Sequence, residues 1–437
     1  MLSLPTQVKA FLTGNFVFGV SQSFLGLFMN LHLREVGLAD HNIARSLFLF
    51  QFCGALGTIP SLYFISRLNL HSFVIVFSAC SIFAVVLALL LPFGSLTLPL
   101  FCLSFASVAA LKVASAPFLM ASTQPKIRPY VFSLLFVGTF GSSLIGNILG
   151  GAFAQSAGTL QIALANFLRS YLNEPLATVP QKYGLTILFG QLFAVLSLLS
   201  FARMSPPATS SLNPQNLFID LSVRTNWRGL RWKFFAHALV PHILISLGAG
   251  LVMQFLNLYL VDSFGLTDRQ LGVVMSLQSI TMIFGVVAAP AIADRFGRVN
   301  TVIGTQIMSL PFMVVLAVTT NWPICLIALI LRAMFMNMSS PISDAYILEQ
   351  CSPTEQSVLN ALKTITWTLS WACASLLHGA FFTGKYELAF IVATSFYLLA
   401  SICYGYFFSE SGHIRSNHES TSSSQERVTD GQKETLA

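Results

Sequence analysis

Charge is what this sequence has least of. Only 9% of its 437 residues are Asp, Glu, Lys or Arg, while 55% are hydrophobic and 39 are Phe. A soluble chain of this length needs far more charge on its surface, so lipid is the expected solvent. Acids are scarcer than bases, 16 against 23, and no Asp or Glu falls inside any long apolar run of the first half. Cysteine is sparse as well. Cys53, Cys80, Cys102, Cys325, Cys351, Cys373 and Cys403 are scattered through apolar segments without paired spacing, which excludes a disulfide framework and a zinc pattern. No P-loop is present, so ATP is not the direct energy source. No cluster of His, Asp and Glu gathers at one membrane face, as a polytopic enzyme would require. The formal charge of +7 does not imply nucleic acid, because the bases form no patch with interleaved aromatics. No enzyme activity, metal or cofactor is expected.

What is present is an internal repeat. GLAD at Gly37 to Asp40 returns as GLTD at Gly265 to Asp268, 228 residues on. Just upstream, LFMNLHL (Leu27 to Leu33) returns as QFLNLYL (Gln254 to Leu260), placing Asn30 opposite Asn257. GGAF (Gly150 to Phe153) returns as HGAF (His378 to Phe381), again 228 on. Duplicated blocks of membrane helices are how many secondary transporters are built, with the substrate site between the repeats.

A membrane span takes about 20 mostly apolar residues. Twelve such runs lie near 9–33, 43–66, 71–93, 96–120, 130–155, 184–203, 234–260, 270–293, 299–320, 323–348, 357–382 and 387–408. Six spans per half is an even number, so the repeats are parallel, related by an axis along the membrane normal. The organisation expected is a six-helix bundle over 1–203, a Pro-, Ser- and base-rich cytoplasmic linker over 204–232, a second bundle over 233–408 and a polar, disordered tail over 409–437. The stretch from Trp227 to Trp232 reads equally as coil or as a short amphipathic helix on the inner leaflet. The apolar LQIALANFL (Leu160 to Leu168) in the long 156–183 connection reads as a short helix over the outer mouth. Eleven bases fall on one side of the spans and six on the other, so both termini and the linker are expected in the cytoplasm. No small-residue cleavage site follows the first apolar run, which reads as an uncleaved helix. The plasma membrane is the expected location.

At the junction of spans eight and nine the chain reads PAIADRFGRV, Pro290 to Val299. This resembles the G-x-x-x-D-R-x-G-R-[RK] signature of the major facilitator superfamily, and with twelve spans and the repeat the resemblance covers residues 8–408. It implies two six-helix bundles rocking about a central site. It also implies that Asp294, Arg295, Gly297 and Arg298 form a cytoplasmic gate loop held by charge contacts to a neighbouring helix end. Pro290 replaces the signature's first Gly and Val299 its last base. In the first half only Arg67 survives and Ser66 replaces the Asp, so that latch should be weaker. Span five, GTFGSSLIGNILGG (Gly138 to Gly151), is similar to the glycine-rich motif of proton-coupled drug antiporters, but Asn147 stands where its Pro should be. Small residues at this spacing also let helices approach closely whatever the function.

Ionisable groups inside a bilayer are costly, and each is a functional candidate. Four charged residues fall within spans away from their ends: Lys112, Arg332, Asp344 and Lys363. Asp344 and Lys363 suit an ion pair, structural or part of coupling. Removing that pair leaves Lys112 and Arg332 with no acid in the sequence to match them. An anionic or zwitterionic ligand group would complete the pairing; snorkelling or carbonyl capping is the alternative. Gln22, Asn30, Gln51, Asn147, Gln254, Asn257 and Gln278 are candidates for a polar cavity lining, or for interhelical glue. Trp367 and Trp371, four apart, offer one aromatic face for substrate stacking or for packing. Asp344, His242 and His378 are the candidate protonation sites, and the sequence leaves proton coupling and facilitated diffusion both open.

The reading is therefore an all-α secondary transporter for a small organic solute of anionic or amphiphilic character, with export slightly favoured. The expected partners are the solute, the bilayer and a proton or other coupling ion. A monomer is expected, because the two halves already supply the interface. The alternatives are a proton-coupled multidrug or lipophilic-cation exporter, which would want an acid in the first-half cavity, and more distantly a solute-sensing receptor, which would want a folded signalling domain.

Overall fold

In the computed structural model, which describes residues 4–67, 69–123, 127–172, 180–204 and 230–408, the described residues form helices and no strand. The first half contains α1 (Thr6–Glu35), α2 (Asp40–Arg67), α3 (Leu70–Leu90), α4 (Thr97–Ser122), α5 (Arg128–Leu172) and α6 (Lys182–Ala202). The second contains α7 (Trp232–Phe264), α8 (Asp268–Phe296), α9 (Arg298–Val318), α10 (Trp322–Glu349), α11 (Pro353–Leu377) and α12 (Tyr386–Phe408). Among the described residues, ten of the twelve are long and apolar enough to cross a membrane. The other two, α2 and α11, pack on each other across the two halves, where a helix faces protein and needs less apolar surface than one facing lipid.

Most of the 204–232 linker, with half of the Trp227 to Trp232 stretch, and the whole 409–437 tail lie outside the described residues. One expectation is corrected. LQIALANFL is no separate cap: α5 runs unbroken for 45 residues through it. At 1.5 Å per residue that is about 68 Å, more than twice the hydrocarbon thickness of a bilayer, so the helix projects well past one face. Residues 156–172 contain no Pro, and their single Gly158 does not stop a helix already formed.

The repeat is legible in the packing. Gly37 and Gly265 both adopt left-handed backbone, φ 93° and 63°, and turn the chain from α1 into α2 and from α7 into α8. Gly151 of α5 lies so close to α8 that an added Cβ would meet the Asp268 carbonyl at 2.7 Å, and Gly379, its repeat mate after α11, would meet Ala44 of α2 at 2.5 Å. These are the two crossings that join the halves.

We call the face where α1 begins the terminal face, since the linker joins the halves there. Toward the opposite face a single buried apolar core is continuous between halves, joining Leu25, Phe28, Leu31 and Phe50 to Val252, Leu256, Tyr259 and Tyr397. Toward the terminal face the core splits in two. Phe11, Phe73, Phe118 and Phe201 belong to the first half, and Phe235, Ala289, Leu359 and Phe408 to the second. The halves part there.

Candidate functional site

Between the separated cores lies a cavity of about 850 Å³, lined by both halves. Its closed end is built by the repeated asparagines. Asn30 Nδ2 donates to Asn257 Oδ1 at 3.1 Å and also to the Gln254 carbonyl, and Asn257 Nδ2 donates to the Leu27 carbonyl at 2.8 Å. Helix α7 is interrupted at Gln254–Phe255 and restarts at Leu256, so the freed Gln254 carbonyl needs an outside donor. Asn30 supplies it. The Gln254 side chain is spent on α11: its Nε2 donates to the Trp371 carbonyl at 2.9 Å, and its Oε1 accepts from Ser375 Oγ at 3.1 Å. Of the expected polar lining, Gln22, Gln51, Asn147 and Gln278 border the cavity, and Asn30, Gln254 and Asn257 form its floor.

Three cations and one carboxylate border the same space: Lys112, Arg332, Lys363 and Asp344. Asp344 and Lys363 form an ion pair, with the lysine side chain 9% and the carboxylate 44% exposed. His242 Nε2 donates to the Lys363 carbonyl at 3.1 Å, and its ring centre lies 5.5 Å from that of Trp367. Arg332 is buried. It donates to Tyr397 Oη and lies 2.9 Å from Met253 Sδ, and no acid partners it among the described residues. Its guanidinium carbon sits 5.5 Å from the Tyr397 ring centre, and Gly248 makes room for that ring, since a Cβ there would stand 2.9 Å from it. Lys112 is exposed to the cavity and has no hydrogen-bond or ion-pair partner among the described residues.

The helical rise fixes depth. Counted from the terminal ends of their helices, Asp344 lies about 8 Å in, Lys112 and Lys363 about 15 Å, Trp367 about 21 Å and Arg332 about 25 Å. Trp367 and Trp371 present one face, their ring centres 5.7 Å apart. Deeper than all of these, the floor closes.

Beyond the floor, a polar layer that sequence reading did not assemble ties the halves together. Arg34 of α1 bonds Asp262 of α7 through both carboxylate oxygens, at 2.7 and 3.1 Å, and its own half's Asp40 at 2.9 Å. Tyr386 Oη donates to Asp262 at 2.7 Å. Tyr183 Oη donates to Asp268 at 3.0 Å, and Lys182 pairs with the same carboxylate. Glu35 accepts from the Tyr183 amide at 2.9 Å. From sequence, Arg34 and Lys182 count only as loop bases. A signal was there: Arg34 and Asp262 are 228 apart, and Lys182-Tyr183 returns as Lys385-Tyr386. Among the described residues, every hydrogen bond between the halves lies on this side of the molecule, including Ser276 Oγ to the Leu144 carbonyl at 2.9 Å.

The Asp294–Arg298 loop, expected from the resemblance to act as a gate, sits at the terminal face. Gly297 adopts φ 82°, and Arg298 pairs with Glu349, the last residue of α10. That contact stays inside the second half. Asp294 is exposed with no ion-pair partner among the described residues, and Arg295 lies against Phe296. The side chains of Ser66 and Arg67 lie outside the described residues.

Residues 238–434 match the sequence profile of the Major Facilitator Superfamily. No curated protein matches the chain. Among solved structures, a bacterial homologue of the human lysosomal transporter Spinster, inward-facing and occupied, is 14% identical, with a TM-score of 0.69 over 92% of this chain and 96% of that one. The transporter FucP in its outward conformation is 14% identical, TM-score 0.63, over 92% and 99%. The nucleoside transporter NupG is 10% identical, TM-score 0.62, over 92% and 100%. At these identities the likeness is one of fold.

Proposed function

We propose that this chain, a Major Facilitator Superfamily transporter by the sequence of its second half and the fold of its whole length, carries an organic anion with a sizeable apolar part. The observation that supports this is the charge balance of the cavity. Asp344 is already committed to Lys363, so Lys112 and Arg332 together leave the lining at +2. A buried cation without a counter-ion, as Arg332 is, is costly, and a carboxylate or phosphate placed between the two would pair with both. The apolar part of the solute would lie against apolar wall residues such as Phe16, Phe105, Met275, Met282 and Met336.

The termini are cytoplasmic by the distribution of loop bases, which makes the present shape an inward-open state in which the cavity loads or empties at the cytoplasmic side. Movement then requires the Asn30–Asn257 floor and the Arg34 layer to part while the terminal-face cores close. This is alternating access in a monomer of the plasma membrane.

The test is ligand-dependent thermal stability of the purified chain against alkyl carboxylates, alkyl phosphates, sugars and lipophilic cations. Saturating ligand at 100 times its dissociation constant raises stability by about 2.7 kcal/mol. Stabilisation by the anions that is lost in Lys112→Gln and Arg332→Gln supports the reading. Stabilisation by lipophilic cations alone, unchanged in both variants, overturns it in favour of cation efflux.

A further inference from the structure

We infer that the cavity holds a second subsite, for a quaternary or protonated amine, formed by the Asp344 carboxylate and the face of Trp367; it rests on the organic-anion reading and extends the solute to a zwitterion. Asp344 is the only acid bordering the cavity among the described residues. Its pairing with Lys363 is lopsided. The lysine side chain is almost fully enclosed, whereas the Asp344 side chain keeps 44% of its surface open and uses one oxygen, Oδ1, on the amine. A carboxylate present only to neutralise a buried lysine is best enclosed with it, because exposure weakens the pair. Here the second oxygen is left for something that enters the cavity.

By backbone Trp367 stands about 13 Å deeper than Asp344, but the two side chains lean toward each other, because a helical side chain points back toward its helix N-terminus and α10 and α11 run in opposite directions. Trp367 is 37% exposed and lines the cavity one helical turn deeper than Lys363, flanked by Trp371 and the His242 ring. An indole face within about 6 Å of a cation attracts it, most strongly where water is excluded. Depth sets the spacing. The carboxylate lies near the mouth and Arg332 about 18 Å deeper along the same helix, with Lys112 at the level between. A solute with its anion inward and its ammonium toward the mouth meets a matching charge at each end.

The experiment titrates the full-length purified chain with three probes: decanoate, its ω-trimethylammonium derivative, and decyltrimethylammonium. The expected result is that the zwitterion binds about tenfold tighter than decanoate, and that decyltrimethylammonium binds more weakly than either. Asp344→Asn should erase the advantage of the zwitterion while decanoate binding persists. Because Asp344→Asn strands Lys363 and can fail to fold, Trp367→Leu, which leaves the ion pair intact, is the second variant and should reduce the advantage by severalfold. Lys112→Gln should weaken decanoate and the zwitterion alike. Decanoate binding as tightly as its trimethylammonium derivative overturns the amine subsite and leaves the anion reading standing, as does an advantage that survives both Asp344→Asn and Trp367→Leu. Failure of decanoate and the zwitterion alike to bind overturns both.

Discussion

Arg34 and Asp262 lie 228 residues apart, the spacing of the GLAD and GLTD turns beside them, and they bond each other. The geometry is bidentate, which adds directionality to charge, and Tyr386 donates to the same carboxylate. The pair therefore ties the two halves together on the side away from the cavity mouth.

A double-mutant cycle on thermal unfolding should find Arg34→Gln and Asp262→Asn coupled by about 1 kcal/mol. Both side chains are about one third exposed, so the coupling should shrink as salt rises. Additive single effects would mean the two do not act on each other.

The crossing of α5 and α8 should tolerate no added carbon. An alanine at Gly151 would press its Cβ on the Asp268 main-chain oxygen, and one at Gly272 on that of Asn147. Backbone cannot rotate aside as a side chain can. Gly151→Ala and Gly272→Ala should each cost about 1–3 kcal/mol, read as a fall in melting temperature. Gly304→Ala, with open space around it, is the neutral control.

Tyr397→Phe should destabilise the protein although it removes a single oxygen. Arg332 is buried and relies on that hydroxyl as acceptor, and a buried charged donor left unmatched costs about 1–3 kcal/mol. An anionic ligand in excess should recover part of the loss, since it supplies acceptors to the same cation. A variant as stable as the parent would show that Arg332 finds another partner.

Acid sensitivity should centre on Glu355, at the terminal-face start of α11. The Arg231 guanidinium bonded to it holds its carboxyl down to about 2, against an ordinary 4.5, with Ser352 also donating to it. A depressed folded value means the stabilisation is complete above the ordinary carboxylate range and is lost as pH falls from there through about 2. Glu355→Gln should be less stable at neutral pH and should flatten that acid limb. Equal pH profiles for variant and parent would remove Glu355 from the account.

Much of this molecule was legible in one dimension. Composition put the chain in lipid, the long apolar runs set out the helices, and the duplicated GLAD and GLTD turns announced two equivalent halves. Asn30 and Asn257 were visible as mates, and scarcity of acid alone singled out Lys112, Arg332, Asp344 and Lys363. These features are local or periodic, so order along the chain is enough to read them. The end of α5 was not legible, because an apolar stretch in a long connection reads the same whether it continues a helix or starts one.

What the sequence determined by itself is that the chain is a membrane bundle of two related halves with surplus cations in its spans, because the bilayer penalises every departure from that pattern residue by residue. What only the tertiary structure decided is who meets whom: that Arg34 finds Asp262, that Tyr183 and Lys182 find Asp268, that Arg332 rests on Tyr397 and leaves its charge unmatched by acid. Those pairings join residues 65 to 228 positions apart. They depend on which helix faces carry them and how the two halves lean together, which no stretch of sequence contains.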